Sequence, residues 1–148
     1  MHPVTRILSR LAAAACLAFA LTACGGGGDD GSVTFDIGVI VAGQPLSSGH
    51  IHSGSSQSIS VWAGDSLQLD ASEPVVWSLQ VAGTSVSGSG TTVYYGGIGV
   101  TIDTISASRI LVDTFDTSPF STPVALTFTA TSTYDSAIVA VVTVYVYY

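Results

Sequence analysis

The amino-acid sequence predicts an all-β fold, an antiparallel β-sandwich of about seven to nine strands that occupies the chain from residue 33 onward. Three observations lead to this prediction. Apolar side chains recur with a period of two, the apolar runs are short and rich in valine, isoleucine and threonine, and glycine, serine and proline separate them. A period of two is that of a strand with one buried face, whereas a helix has a period of about 3.6 residues.

The first predicted strand shows the alternation clearly. Over residues 33–42, Phe35, Ile37 and Val39 alternate with Thr34, Asp36, Gly38 and Ile40, and a polar loop follows over residues 44–58. Residues 83–90 are predicted to be a turn, because serine and glycine make up most of that segment. Further strands are predicted over residues 59–62, 66–71, 75–81, 91–95, 100–105, 109–115, 124–132 and 138–148.

The last predicted strand, residues 138–148, carries no charged side chain, and both of its faces are largely apolar. At an exposed sheet edge such a strand would favour pairing with another chain and aggregation. We therefore expect it to be paired on both sides within the sheet. The alternative is that a second chain pairs with it.

The first 23 residues have the three parts of a secretory signal peptide. Arg6 and Arg10 make the N-terminal part positive, an uncharged apolar run follows over residues 11–23, and small residues end it. This order is typical of a cleaved targeting segment. The apolar run is shorter than the roughly 20 residues that a membrane-spanning helix needs.

The four residues that end this segment, Leu21, Thr22, Ala23 and Cys24, resemble the lipobox of bacterial lipoproteins. The resemblance implies that the peptide is cut before Cys24 and that the Cys24 sulfur carries a diacylglycerol group. In that family the residue after the cysteine directs sorting between membranes, and Gly25 at this position implies anchoring in the outer membrane. The alternative is an ordinary signal peptide in which the cysteine has no such role.

The chain therefore divides into a signal peptide (residues 1–23), a lipidated cysteine with a glycine-rich tether (residues 24–32) and a folded domain (residues 33–148). The tether GGGGDDGS has no side chain to pack and is expected to be flexible. Beyond Cys24, Arg109 is the one cationic residue against ten acidic residues, which gives a net charge near −9. Such a surface repels phosphate backbones and excludes nucleic acid as a partner.

Two segments of the predicted domain resemble bacterial immunoglobulin-like domains. GDSLQLDASEPVVWSLQV (residues 64–81) is similar to their second and third strands, where a G-x-x-L-x-L-x-A-S strand precedes the strand with the core tryptophan, here Trp77. LTFTATSTYDSAIVAVVTVYVY (residues 126–147) is similar to their closing hairpin. The resemblance implies an immunoglobulin-like sandwich. No cysteine pair is left to join its sheets, and its strand order and subfamily stay open.

His50 and His52 are the one cluster with the chemistry of metal ligands. In an extended segment their side chains point the same way and lie about 6–7 Å apart. Two imidazoles could begin a zinc or copper site, and only a carboxylate could supply the third ligand. The alternative is a pair of solvated histidines in a serine- and glycine-rich loop.

Four of the aspartates are predicted to lie at strand ends or turns, and the sequence shows no D-x-D-x-D-G pattern of a calcium loop. We expect them to favour turns through their side chains and to keep the protein soluble. They are Asp103, Asp113, Asp116 and Asp135.

Some of the aromatic residues in the strands must face outward, where their rings could stack on sugars. Core positions and cross-strand pairs are the alternative roles. These residues are Trp62, Tyr94, Tyr95, Tyr145 and Tyr147, and Trp77 is assigned to the core.

The chain contains no nucleophile, zinc-protease or phosphate-loop motif, so we expect neither an enzyme nor a bound cofactor. The leading hypothesis is a membrane-anchored lipoprotein of the bacterial cell envelope that displays a non-enzymatic interaction or structural module. Its expected partners are the membrane, through the N-terminal lipid, and an envelope protein or a glycan. The alternative is a ligand-binding module, for a metal through His50 and His52 or for a glycan through exposed aromatic rings.

Overall fold

The structure is a computed structural model that describes residues 34–47, 50–118 and 122–148. The predicted signal peptide, the tether and the lipobox with Cys24 lie outside the described residues. In the part that is described, the expectation of an all-β fold is confirmed: the residues form strands and turns, without a helix. No helical segment there could therefore cross a bilayer.

Twelve strands occur in the described residues, so the expected number was too low. Nine of them have five or more residues and match the predicted strands. The three additional strands have two or three residues and lie in segments predicted to be a loop or a turn. The strands are β1 (Asp36–Val41), β2 (Gln44–Pro45), β3 (Ile51–His52), β4 (Ser56–Trp62), β5 (Ser66–Ala71), β6 (Val75–Val81), β7 (Thr84–Val86), β8 (Thr91–Tyr95), β9 (Ile98–Ile105), β10 (Arg109–Asp116), β11 (Val124–Ser132) and β12 (Val139–Tyr147).

The strands form two sheets. Sheet A has the order β2-β1-β5-β10-β9-β8, with β3 also paired to β1, and sheet B has the order β4-β12-β11-β6-β7. The expectation of purely antiparallel pairing was wrong for one pair, because β4 runs parallel to β12. A parallel pair needs a long connection, and here the chain passes through most of both sheets between β4 and β12.

The inward faces of both sheets contribute to one hydrophobic core. On β5, Leu67, Leu69 and Ala71 are buried, as the alternation predicts, and on β11 Leu126 and Phe128 are fully buried. Full burial of one such side chain stabilises the fold by about 1.5–3 kcal/mol. Two sheets that share a core in this way make a β-sandwich, which confirms the predicted class.

The strand β12 is paired on both sides, as expected from its uncharged sequence. It pairs antiparallel with β11 from Val139 to Val146 and parallel with β4 from Val141 to Tyr147. The apolar strand is therefore inside sheet B. The polar strand β4 and the three-residue strand β7 form the edges of that sheet.

Candidate functional site

The outward face of sheet B carries no charged side chain at its strand positions. We define this sheet B face by the outward residues of its four longer strands. They are Ser56, Ser58, Ser60, Trp62, Val76, Ser78, Gln80, Ala125, Thr127, Thr129, Thr131, Val139, Val141, Thr143, Tyr145 and Tyr147. Hydroxyl, amide and aromatic groups therefore dominate a face of a protein that is otherwise strongly acidic.

Two aromatic rings meet at one end of the sheet B face. Trp62 on β4 lies opposite Tyr147 on β12, and their ring centroids are 6.3 Å apart with an angle of 59° between the ring planes. Both rings are open to solvent, with exposed fractions of 66% for Trp62 and 38% for Tyr147. Together with Ser60 and Val61 they line an open cleft of about 250 Å³.

A tight turn directly after β4 holds the backbone of Trp62. The N–H of Asp65 donates to the Trp62 carbonyl at 3.0 Å, and the Asp65 Oδ2 atom accepts from the Trp62 N–H at 3.1 Å. Gly64 stands at the third position of this turn with φ of 107°, a conformation that glycine adopts without strain. The carboxylate and the glycine thus explain why the chain turns at this point.

The same turn is tied to both sheets. The Ala63 N–H donates to the Tyr147 carbonyl in sheet B, and the Gly64 N–H donates to the Thr114 carbonyl in sheet A. The buried Thr114 hydroxyl donates to the Asp65 carbonyl at 2.9 Å. These bonds fix the backbone from which the exposed Trp62 ring projects.

The two histidines of the candidate metal site lie beside the outward face of sheet A. His52 is directly opposite Asp36 on β1, with its Nδ1 atom 2.5 Å from Asp36 Oδ1. The His50 ring lies against Gly38, two residues further along β1, where a side chain would meet the imidazole at ordinary contact distance. Both imidazoles therefore lie on the same side of β1.

Asp70 lies in the next strand, opposite Gly38, but its carboxylate is already engaged. Arg109 Nε donates to Asp70 Oδ1 and Gln68 Nε2 donates to Asp70 Oδ2, both at 2.6 Å. His50, Gly38 and Asp70 line an open cleft of about 400 Å³. The residues that the structure describes contain no group of three or more His, Cys, Asp or Glu side chains arranged to hold a metal ion. Metal binding by His50 and His52 stays an untested alternative.

Asp103 and Asp113 lie within β9 and β10, so the expectation that they occupy strand ends or turns was wrong, and they form a pair on sheet A that the sequence did not predict. β9 has an extra residue opposite the Leu111–Val112 step of β10, and this β-bulge leaves Asp103 without a register partner. A side-chain hydrogen bond with Asp103, then burial, then repulsion between the two carboxylates raise the pKa of Asp113 above its ordinary value.

Asp116 and Asp135, the other two of the four aspartates named above, have the turn role that the sequence predicts. Asp116 Oδ1 accepts from the Ser118 N–H at 3.0 Å, and Asp135 Oδ1 accepts from the Ala137 N–H at 2.9 Å. A side chain that binds the backbone two residues further on is typical of an Asx-turn. Neither contact indicates a ligand site.

The remaining aromatic residues are divided between the surface and the edge of the core. Tyr94 and Tyr95 on β8 are exposed, and the Tyr94 ring meets the Phe115 ring edge-on at 6.0 Å. Tyr145 is exposed on the sheet B face. Trp77 is half-buried against the core, and its buried Nε1 atom has no acceptor among the described residues. The assignment of Trp77 to the core therefore holds only for part of its side chain.

Comparisons of the chain with protein-family models, with curated proteins and with solved structures found no match. A functional proposal therefore rests on the sequence and on the geometry of the two sheets and their surface residues.

Proposed function

We propose that the chain is a lipid-anchored protein of the bacterial cell envelope, and that its folded part is a non-enzymatic immunoglobulin-like module for interaction or envelope structure. The order of the strands in the two sheets is the observation that carries the immunoglobulin-like part. The lipobox and the tether carry the anchoring part.

An immunoglobulin-like sandwich of the constant type has seven strands, A to G in chain order, arranged as sheets A-B-E-D and G-F-C. Seven strands of the present fold follow that arrangement in chain order. Sheet A contains the path β1-β5-β10-β9, and sheet B contains the path β12-β11-β6. In this scheme Trp77 lies on the third strand, β6, where immunoglobulin-like domains carry their tryptophan.

The proposal accounts for the lack of a disulfide. In immunoglobulin domains of antibodies a cystine joins the second and sixth strands. Here those strands are β5 and β11, and they fill the space between the sheets with Leu69 and Phe128, which are both fully buried. Core packing would then supply the stability that the cystine supplies elsewhere.

The anchoring proposal rests on the four residues Leu21 to Cys24 and on the glycine-rich segment after them. Two or more acyl chains hold a protein at a membrane stably, whereas one chain binds weakly. Such an anchor, followed by the glycine-rich segment, would hold the folded domain at a membrane of the envelope. Gly25 supports the outer membrane as its location.

Metabolic labelling with radioactive palmitate tests the anchoring proposal. We expect the full-length protein to incorporate label and to fractionate with membranes. The Cys24→Ala variant should lose both properties, and Cys16→Ala, which changes the other cysteine, is the matched control and should keep them. Equal labelling of the Cys24→Ala protein would overturn the proposal.

A further inference from the structure

We infer that the sheet B face binds an uncharged glycan, and that the cleft between Trp62 and Tyr147 accepts one of its sugar rings. The inference rests on the proposed function, because it names the partner of the proposed interaction module. It combines three properties of the face: its exposed rings, its hydroxyl groups and its lack of charge.

The rings supply apolar surface of the right kind. A pyranose has apolar C–H faces, and a flat aromatic side chain that is exposed to solvent offers a surface on which such a face can stack. Trp62 and Tyr147 are inclined to one another by 59° and border an open cleft of about 250 Å³. One ring can therefore cover the face of a sugar while the other contacts its edge. Tyr145, which lies opposite Ser60, extends the apolar surface along β12.

A row of hydroxyl and amide groups crosses the sheet four residues along β12 from Tyr147. Thr143 on β12 lies opposite Ser58 on one side and opposite Thr127 on the other, and Thr127 lies opposite Gln80. Neighbouring strands are about 4.8 Å apart, so this row places four polar side chains across roughly 15 Å. Each can donate and accept hydrogen bonds, as the hydroxyl groups of a sugar do.

The distribution of charge favours an uncharged partner. The folded part of the chain is strongly acidic, which repels an anionic glycan or an anionic membrane surface. The sheet B face offers no cation to such a ligand and no anion to a basic one at its strand positions. A second copy of the chain fits less well, because stable protein interfaces have apolar centres and the middle of this face is Thr127, Thr129 and Thr143.

The Trp62 backbone is held in place before any ligand arrives. The turn that follows it is fixed by Asp65 and by hydrogen bonds to Tyr147 and Thr114. A site that is already ordered loses less conformational entropy on binding, which favours affinity for a weakly interacting ligand. The ordered backbone of Trp62 therefore favours a role of its ring in ligand binding.

Affinity electrophoresis of the full-length protein tests the inference. The protein is kept in a detergent without a sugar head group and run through native gels that contain a neutral polysaccharide of glucose, mannose, galactose or xylose, or an acidic polyuronate. We expect at least one neutral polymer to retard the protein and the polyuronate to leave its mobility unchanged. Trp62→Ala and Tyr147→Ala should each weaken the retardation at least about tenfold.

Tyr94→Ala is the matched control, since Tyr94 is an equally exposed aromatic residue on sheet A. It should bind like the unchanged protein. Circular dichroism of each variant separates lost binding from lost folding. A second measurement uses Trp62 fluorescence in a Trp77→Phe background, where Trp62 is the one tryptophan left. The matching oligosaccharide should shift this emission with the same midpoint as the retardation.

Three outcomes would overturn the inference: no retardation by any neutral polymer, equal retardation of the Trp62→Ala protein, or self-association that Trp62→Ala abolishes. The last would identify a second copy as the occupant of the face. If glycan binding fails but palmitate labelling still depends on Cys24, the anchoring proposal is unaffected. Glycan binding without such labelling overturns the anchoring alone.

Discussion

The phenyl ring of Phe115 on β10 lies directly over Gly99 on β9, and the two residues are register partners. An ideal Cβ atom added to Gly99 would overlap the Phe115 ring. Tyr94, the register partner of Gly99 on its other side, meets the same ring edge-on. The ring thus takes the space that a side chain at Gly99 would need, and it buries the glycine on the outward side of sheet A.

We expect Gly99→Ala to destabilise the fold by about 1–3 kcal/mol, because the added methyl group must displace the Phe115 ring or the backbone. Urea unfolding followed by fluorescence measures the change. Gly38→Ala is the matched control on the same sheet, since a Cβ there meets its neighbours at 3.6 Å or more. Equal destabilisation by the two substitutions would contradict this account of Gly99.

The Asp103–Asp113 pair predicts a stability that falls as the pH rises. The folded-state pKa of Asp113 is raised, first by its hydrogen bond with Asp103, then by burial and repulsion. The folded state therefore holds a proton that the unfolded state loses, and this stabilising contribution is present below the ordinary aspartate pKa near 4. It is lost as the pH increases through the raised pKa. The two register partners of Asp113, Ser66 on β5 and Thr101 on β9, do not titrate in this range.

We expect Asp113→Asn to raise the midpoint of thermal unfolding at pH 7 relative to the unchanged protein, and to change it less at pH 3. Asp103→Asn should have the same effect, because it removes the same repulsion. Differential scanning calorimetry between pH 3 and pH 8 measures both variants. If the unfolding midpoints of the variant and of the unchanged protein changed in parallel with pH, the Asp103–Asp113 pair would not hold an additional proton in the folded state.

The sequence predicts the longer strands well, for physical reasons. β5 and β6 have the predicted bounds, because each shows the two-residue alternation between clear turn residues. β7 could not be predicted, because three residues are too few to show an alternating pattern. Its extended conformation depends on its pairing with β6. The parallel pair of β4 and β12 joins distant parts of the chain, and no local pattern encodes such a contact.

The candidate sites divide in the same way. Alternation alone indicates that some of the strand aromatic residues face outward, and Trp62 and Tyr147 belong to the set of five candidates without being singled out by it. Their meeting at one cleft depends on the register between β4 and β12, which the sequence does not contain. The pairing of Asp103 with Asp113 depends on the register between β9 and β10. The position of Thr114 beside Trp62 likewise follows from the tertiary fold, whereas Asp65 reaches Trp62 through a local turn.

The metal hypothesis for His50 and His52 can be decided by calorimetry with Zn²⁺ and Cu²⁺ on the full-length protein. The two imidazoles share one side of β1, but the described residues bring no third ligand into a group with them. We therefore expect a His50→Ala/His52→Ala double variant to give the same heat as the unchanged protein. A saturable heat that the double variant lacks would contradict this expectation and support the metal alternative.

Thr114→Val should weaken the turn that carries Trp62. The substitution keeps the shape of the buried side chain but removes the hydroxyl that donates to the Asp65 carbonyl. Loss of one buried hydrogen bond costs about 0.5–1.5 kcal/mol. Urea unfolding measures the change, and Thr129→Val on the outward side of β11 is the control, with little effect expected. An unchanged stability of Thr114→Val would mean that the turn does not depend on this bond.

Trp77→Phe is expected to change the free energy of unfolding by less than about 1 kcal/mol, because two effects oppose each other. The smaller ring loses some contact with the core, which destabilises the fold. The substitution also removes a buried Nε1 donor that no described residue satisfies, and such a group costs about 1–3 kcal/mol. Trp77→Ala removes the same donor but nearly all of the contact, so it should destabilise the fold by more than about 2 kcal/mol. If Trp77→Phe were as destabilising as Trp77→Ala in urea unfolding, the indole N–H would have to contribute to stability. The claim that lost contact and removal of the unsatisfied donor offset each other would then be wrong.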